Sequence, residues 1–186
     1  MKGASIVSTM TVCVVMSASL AQDTSLFPSP APQHAFLKKF VGKWKSESEI
    51  RTGPNQPSQK YTGTMSFRML GEFWVISDVA AEMPGGGRFS AVQTIGFNSK
   101  TGRYDGTWVD SVTDHMWTYH GTAEGETLTL EAEGPNFLSP GKTANFRDIY
   151  EFRSADEIAV FSKIQSDDGT WVTYVTGTMR RAEAGK

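Results

Sequence analysis

The residues in this chain best suited to chemistry are charged side chains set within apolar segments, one mid-segment histidine, and a scatter of tryptophans. Arg68, Asp78, Asp110, Arg147, Asp148 and Lys163 all interrupt runs in which aromatic and hydroxyl residues alternate. In the stretch YDGTWVDSVTDHMW, residues 104–117, Asp110 lies two positions from Trp108. In extended backbone that spacing puts a carboxylate and an indole on the same side of the pleat. If such residues converge inside a closed sheet, Asp110 with Arg68 or Arg147 would orient a ligand carrying a carboxylate, hydroxyl or carbonyl group. Trp74, Trp108, Trp117, Trp171 and Tyr174 would supply the apolar wall. The competing arrangement places the charges on a solvated outer face with one or two buried pairs, because an unpaired ion in the interior is costly. Asp110 is then a structural partner at a strand end or turn.

The three histidines narrow the acid–base and metal chemistry. His34 starts a short helical pattern and would cap or dock it, while His115 falls in a polar turn exposed to solvent. His120, between Tyr119 and Gly121, is the one placed to reach an interior. Asp110 and His120 on adjacent strands would make a general-base pair, and His120 alone would suffice as an axial haem ligand, although the spacing does not predict haem. With no close histidine pair and a single cysteine at position 13, the chain makes a poor zinc site. No G-x-S-x-G elbow, H-E-x-x-H helix or phosphate-cradling glycine loop appears; Gly85-Gly86-Gly87 leads into another strand. The candidate ligand-binding set is therefore Arg68, Trp74, Trp108, Asp110, His120, Arg147 and Tyr174, with no catalytic residue, metal ligand or cofactor assigned.

Residues 1–21 carry Lys2, an apolar run broken only by small and hydroxyl residues, and Ser19-Leu20-Ala21, the pattern of a cleaved secretory signal. The run is too short for a spanning helix, so the mature chain is expected to begin at Gln22, with no membrane span and a secreted or periplasmic address. Its loss removes Cys13 and leaves 17 basic against 20 acidic residues, a formal charge of −3. A mature chain without thiols excludes disulfides, thiolate metal centres and cysteine nucleophiles. A slightly acidic balance gives no basis for binding a nucleic-acid backbone.

The elements that must position the candidates follow from periodicity. Residues 22–33, rich in Pro and Ser, read as a flexible lead-in. Phe36, Leu37 and Phe40 then lie at helical spacing, and Gly42 can end the turn. From residue 44 the period becomes two. Segments 44–51, 61–69, 73–82, 89–98, 103–111, 116–124, 127–133, 143–153, 157–166 and 170–180 alternate between short turns. This predicts one domain over residues 34–182: an all-β, antiparallel up-and-down barrel of about ten strands, capped by a short N-terminal helix. Loops 84–88 and 134–143 are long enough to gate one mouth.

Two sets of motifs carry a family likeness. The Gly42-Lys43-Trp44 triplet after a short helix, with Arg180 or Arg181 on the last strand, resembles the signature of calycins, in which a basic side chain lies over the tryptophan. Across nearly the whole mature chain, His34-x-x-Leu37-x-x-Phe40-x-Gly42-x-Trp44, Arg68-x-Leu70-Gly71-x-x-Trp74-Val75, Gly96-Phe97-Asn98 with Lys100 and Tyr104, and Trp108-Val109-Asp110-Ser111 resemble the bacterial family called domain of unknown function 1579. The resemblance implies a lipocalin-like barrel and no particular activity. A barrel of this size holds side chains or one small apolar or amphipathic ligand. The readings carried forward are such a binding barrel, an enzyme using an Asp/His pair in the cavity, and a structural or interaction domain with a filled interior.

Overall fold

In strands of period two, one parity of residues must be buried, and in this chain the buried parity closes on itself. The computed structural model describes residues 27–182 apart from 52, 54, 55 and 84; the predicted signal segment and residues 22–26 lie outside the described residues. The strands are β1 (Gly42–Ile50), β2 (Gln59–Leu70), β3 (Trp74–Glu82), β4 (Arg88–Asn98), β5 (Arg103–Asp110), β6 (Trp117–Glu124), β7 (Thr127–Pro135), β8 (Thr143–Ser154), β9 (Glu157–Gln165) and β10 (Trp171–Arg181). Each pairs antiparallel with the next, and β10 returns to β1, giving a closed ten-stranded up-and-down barrel. Closure leaves no sheet edge with unpaired backbone groups. The strand bounds differ from the sequence reading by no more than a few residues at any end, with the hydrophobic alternation setting the register.

Helix α1 (His34–Leu37) and a 3-10 turn at Lys38–Phe40 plug one end. Phe40 lies within 5.4 Å of the rings of Phe67, Tyr150 and Phe152, while Phe36 meets Tyr104 and Phe152 edge-on. Leu37, Phe40 and Trp44 are fully buried. His34 is buried too, with its Nδ1 3.0 Å from the Ala31 carbonyl and its ring edge-on to Phe73 and Phe97. The end of the lead-in is tied to the barrel where the Tyr104 hydroxyl donates to the Gln33 carbonyl at 2.9 Å.

The plugged end is locked by Arg181, which settles the sequence-level choice between the two arginines. Its guanidinium lies 4.2 Å from the centre of the Trp44 ring and donates to the carbonyls of Val41, Ala155 and Lys39 and to Asp156. The Trp44 indole in turn donates to the Phe40 carbonyl at 2.7 Å. Gly42 must be glycine here. Its φ is +129°, and a Cβ would lie 2.5 Å from an Arg181 nitrogen. Arg180, by contrast, is exposed and makes loose ion pairs with Glu157 and Glu47.

Arg181→Ala is expected to lower the unfolding free energy by about 2–4 kcal/mol, since it removes a stacked cation and several charge-assisted hydrogen bonds. Arg180→Ala should change it by about 0.5 kcal/mol or less. Urea unfolding of the two variants checks the contrast; equal losses would contradict the assigned roles.

Candidate functional site

The alternation that builds the core also sorts the candidate residues to one side of the wall or the other. Arg68 and Asp78 are on exposed outward positions of β2 and β3, so neither enters the interior. Trp74 is outward as well, lying flat over Gly96 on the neighbouring strand. Arg147 points outward, donates through Nε at 2.9 Å to Glu131, and stacks 4.1 Å from the Trp171 ring centre. Lys163 shares that outer face opposite Arg147.

His120 is also outward. The β5–β6 register sets it opposite Asp105, and its Nδ1 lies 2.9 Å from the Asp105 carboxylate. Partial desolvation would raise the Asp105 pKa, but hydrogen bonds from His120 and Asn98, with the charges of His120 and Arg103, outweigh it and hold the carboxyl below its ordinary value. The Asp–His pair of this fold is therefore Asp105–His120 on the outside, not Asp110–His120 in the cavity. An outer groove of about 600 Å³ gathers Arg103, His120, Glu131, Arg147 and Trp171.

Asp110 is inward in parity but sits at the end of β5. One oxygen accepts the Trp108 indole N–H at 3.0 Å, and the other accepts the backbone N–H groups of Val112 and Thr113 and the Thr113 hydroxyl. Its shared face with Trp108 is thus turn capping and indole orientation. His115, read from sequence as solvated, instead packs edge-on against Trp117 at 4.8 Å, because the turn folds back over the aromatic mouth.

Of the candidate set, Trp108 and Tyr174 reach the interior. Trp108 stacks on Phe89, and Trp117 lies over Gly134 and edge-on to Phe146. Tyr174 is the extra residue of a bulge in β10 that aims its ring inward, onto Phe137 of the β7–β8 loop and towards Phe146. Phe137 therefore brings one of the two long loops to the barrel end opposite the helix.

Between the aromatic mouth and the helical plug stands a polar layer that the candidate list does not include. Asp148 points inward from β8, accepting the Tyr119 hydroxyl at 2.6 Å and the Ser162 hydroxyl at 2.5 Å. Tyr174 lies beside Ser162 and Tyr61 beside Ser48. The Tyr150 hydroxyl donates to Gln93 at 3.1 Å. Burial drives the Asp148 carboxyl above its ordinary pKa, and the Ser162 and Tyr119 hydrogen bonds offset this only in part. The Tyr119, Tyr150 and Tyr174 phenols are pushed up by burial first and by the Asp148 charge second.

Ser77 and Gln93 face each other directly across β3 and β4, and each is 1% exposed. The Ser77 hydroxyl and one end of the Gln93 amide have no hydrogen-bond partner. Whichever way that amide is turned, one polar end is left over. Ser46, Ser48, Tyr61, Asp148, Ser162 and Tyr174 also face inward yet keep intermediate accessibility. Inward positions that keep this accessibility mark the least filled part of the interior.

A closed ten-stranded antiparallel meander with a helical plug and a Trp–Arg lock at one end has the architecture of a lipocalin-like barrel. The chain belongs to the family described as protein of unknown function DUF1579, whose model matches residues 29–181. Among solved structures it is similar to Rv2717c from M. tuberculosis, with 12% identity, coverage of 83% of this chain and 100% of that one, and a TM-score of 0.57. It is also similar to the S-type phycobiliprotein lyase CPES from Guillardia theta, at 14% identity, 82% and 94% coverage and a TM-score of 0.56. At these identities the likeness is one of fold. The comparison with curated proteins finds no match.

The raised Asp148 pKa has a definite sign. The folded state prefers the protonated carboxyl, so the wild-type protein loses stability as pH rises through the folded pKa. Asp148→Asn, which mimics the neutral form, should be more stable than wild type at pH 7.5. The gain should shrink on acidification and vanish below about 3.9, the ordinary carboxylate value. Thermal melts of both proteins from pH 3.5 to 8 check this; a gain that ignores pH would contradict it.

Proposed function

We propose that the protein is exported and binds a small amphipathic molecule in the barrel lumen. The observation that carries this reading is the set of inward polar side chains that keep intermediate accessibility, Ser48, Tyr61, Asp148, Ser162 and Tyr174, at positions where the strand pattern calls for closed apolar core. Apolar residues of similar volume at these positions would be neutral or favourable for stability, so polar groups kept there are explained if a guest contacts them. The surroundings fit such a guest. Trp108, Trp117 and Phe146 offer apolar surface towards the mouth, and the tyrosine and serine hydroxyls offer polar contacts further in.

The acid–base reading has less support, because His120 is paired with Asp105 outside the barrel and the oxygens of Asp110 are taken up by a turn and an indole. Among the described residues no helix is long and apolar enough to cross a membrane. Binding is therefore read in the lumen, from whichever compartment the chain reaches.

Native mass spectrometry of protein purified from an exporting host tests export and binding together. The expected spectrum shows a chain lacking residues 1–21 and carrying an added small mass that leaves on denaturation. An unprocessed chain would contradict export. A clean unliganded mass after exposure to fatty acids, sterols and quinones would contradict the carrier reading. Ser77→Ala should leave stability unchanged or raise it by up to about 1 kcal/mol, because it removes an unsatisfied hydroxyl, and should leave retention of the guest unchanged, because that hydroxyl is closed off from the interior space. A destabilised variant, or one that loses the guest, would contradict the closed, unsatisfied position given to Ser77.

A further inference from the structure

Asp148 is a carboxylate placed inside the barrel with no cation to balance it. Every Lys and Arg on the strands, Arg181 excepted, stands at an outward position, and Arg181 is held at the helical end by Trp44, three carbonyls and Asp156. Among the described residues no ion pair includes Asp148. Its interior neighbours are hydroxyls: Tyr119 from β6 and Ser162 from β9 donate to it, while Tyr61 from β2, Tyr150 from β8 and Tyr174 from β10 feel its charge. All are neutral near pH 7 and supply hydrogen bonds without supplying charge.

A partly desolvated anion without a counter-ion attracts a cation more strongly than an exposed carboxylate does. Aromatic rings around it add favourable cation–π surface. Asp148 stands on the inward parity of β8 and keeps intermediate accessibility, unlike its neighbours Phe146 and Tyr150. We propose that the lumen selects an organic cation, an amine or quaternary ammonium on a compact apolar body, with the cationic head at Asp148 and the body beneath the tryptophans of the mouth. This inference rests on the lumen-binding reading above and names the class of guest.

The test compares three probes of one shape: 2-phenylethylammonium, 2-phenylethanol and 3-phenylpropionate. Their affinities are read by calorimetry and tryptophan fluorescence on the protein from an exporting host. The ammonium is expected to bind about tenfold or more tighter than the alcohol, with the propionate weakest. Asp148→Asn should erase that preference, bringing the ammonium down to the affinity of the alcohol. Should the variant fold poorly, the wild-type protein gives the same answer through pH. The ammonium keeps its charge between pH 4 and 8, so its advantage should fall as Asp148 is protonated, while alcohol binding stays level. Equal affinities, a preference for the propionate, or an ammonium preference indifferent to both pH and Asp148→Asn would overturn the cation assignment and leave a binding barrel standing. No binding of these probes together with a clean unliganded mass in the native spectrum would overturn the lumen-binding reading as well.

Discussion

The contact between Arg181 and Trp44 holds together what an up-and-down barrel otherwise leaves to chance. Nine of the ten strand pairings join neighbours in sequence, through hairpins whose closure is local and inexpensive in chain entropy; the tenth, β1 with β10, joins the two ends of the domain. Without it the sheet has two long edges and an interior open to water along one side. The guanidinium supplies what that pairing lacks locally. It covers the indole at the start of β1, takes the Val41 and Lys39 carbonyls beside the helix, and reaches Ala155 and Asp156 in the β8–β9 turn. First strand, last strand, helical plug and the turn leading into the neighbouring β9 are thereby fixed by one side chain, and Gly42 is the space it requires.

With that end shut, the interior divides by depth. The helix brings Leu37 and Phe40 onto Phe67 and Phe152, a dry plug of ordinary core. Above it Asp148, Gln93, Ser77 and Ser162 interrupt the hydrophobic set at positions where the strand pattern calls for Val or Leu. Nearer the mouth the walls turn aromatic. A barrel built only for stability would continue the plug upward, because replacing buried polar groups with apolar ones of similar volume is neutral or favourable.

The fold was legible because parity is written on every strand. Met65 and Phe67 against Ser66 and Arg68, or Phe146, Tyr150 and Phe152 against Arg147 and Arg153, announce which face is which. The same signal, followed strictly, excludes Arg68, Arg147 and His120 from the interior, since each stands on the parity opposite its aromatic neighbours. It also admits Asp148, which shares the parity of Phe146 and Tyr150, and Gln93, which shares that of Ala91 and Ile95. Charge drew attention to residues that water could satisfy; the informative ones were polar residues on the greasy parity. Two features lay beyond periodicity. The bulge that turns Tyr174 inward breaks the count of two, and the capping by Asp110 of the turn after it depends on geometry that a strand pattern does not encode.

The segregation of charge across the wall is what gives the lumen its character. Outside, carboxylates and cations meet in pairs such as Arg147–Glu131 and Lys39–Glu126, where solvent screens them and little depends on any one. Inside, Asp148 faces only hydroxyls, in a medium where an unbalanced charge is expensive. Those hydroxyls orient the carboxylate without cancelling it, as a site waiting for a cation requires and a structural ion pair does not. A fold whose ends are fastened by Arg181 has stability to spare for one such strained group, and the place where local rules of core packing are broken is the place where function is expected to lie.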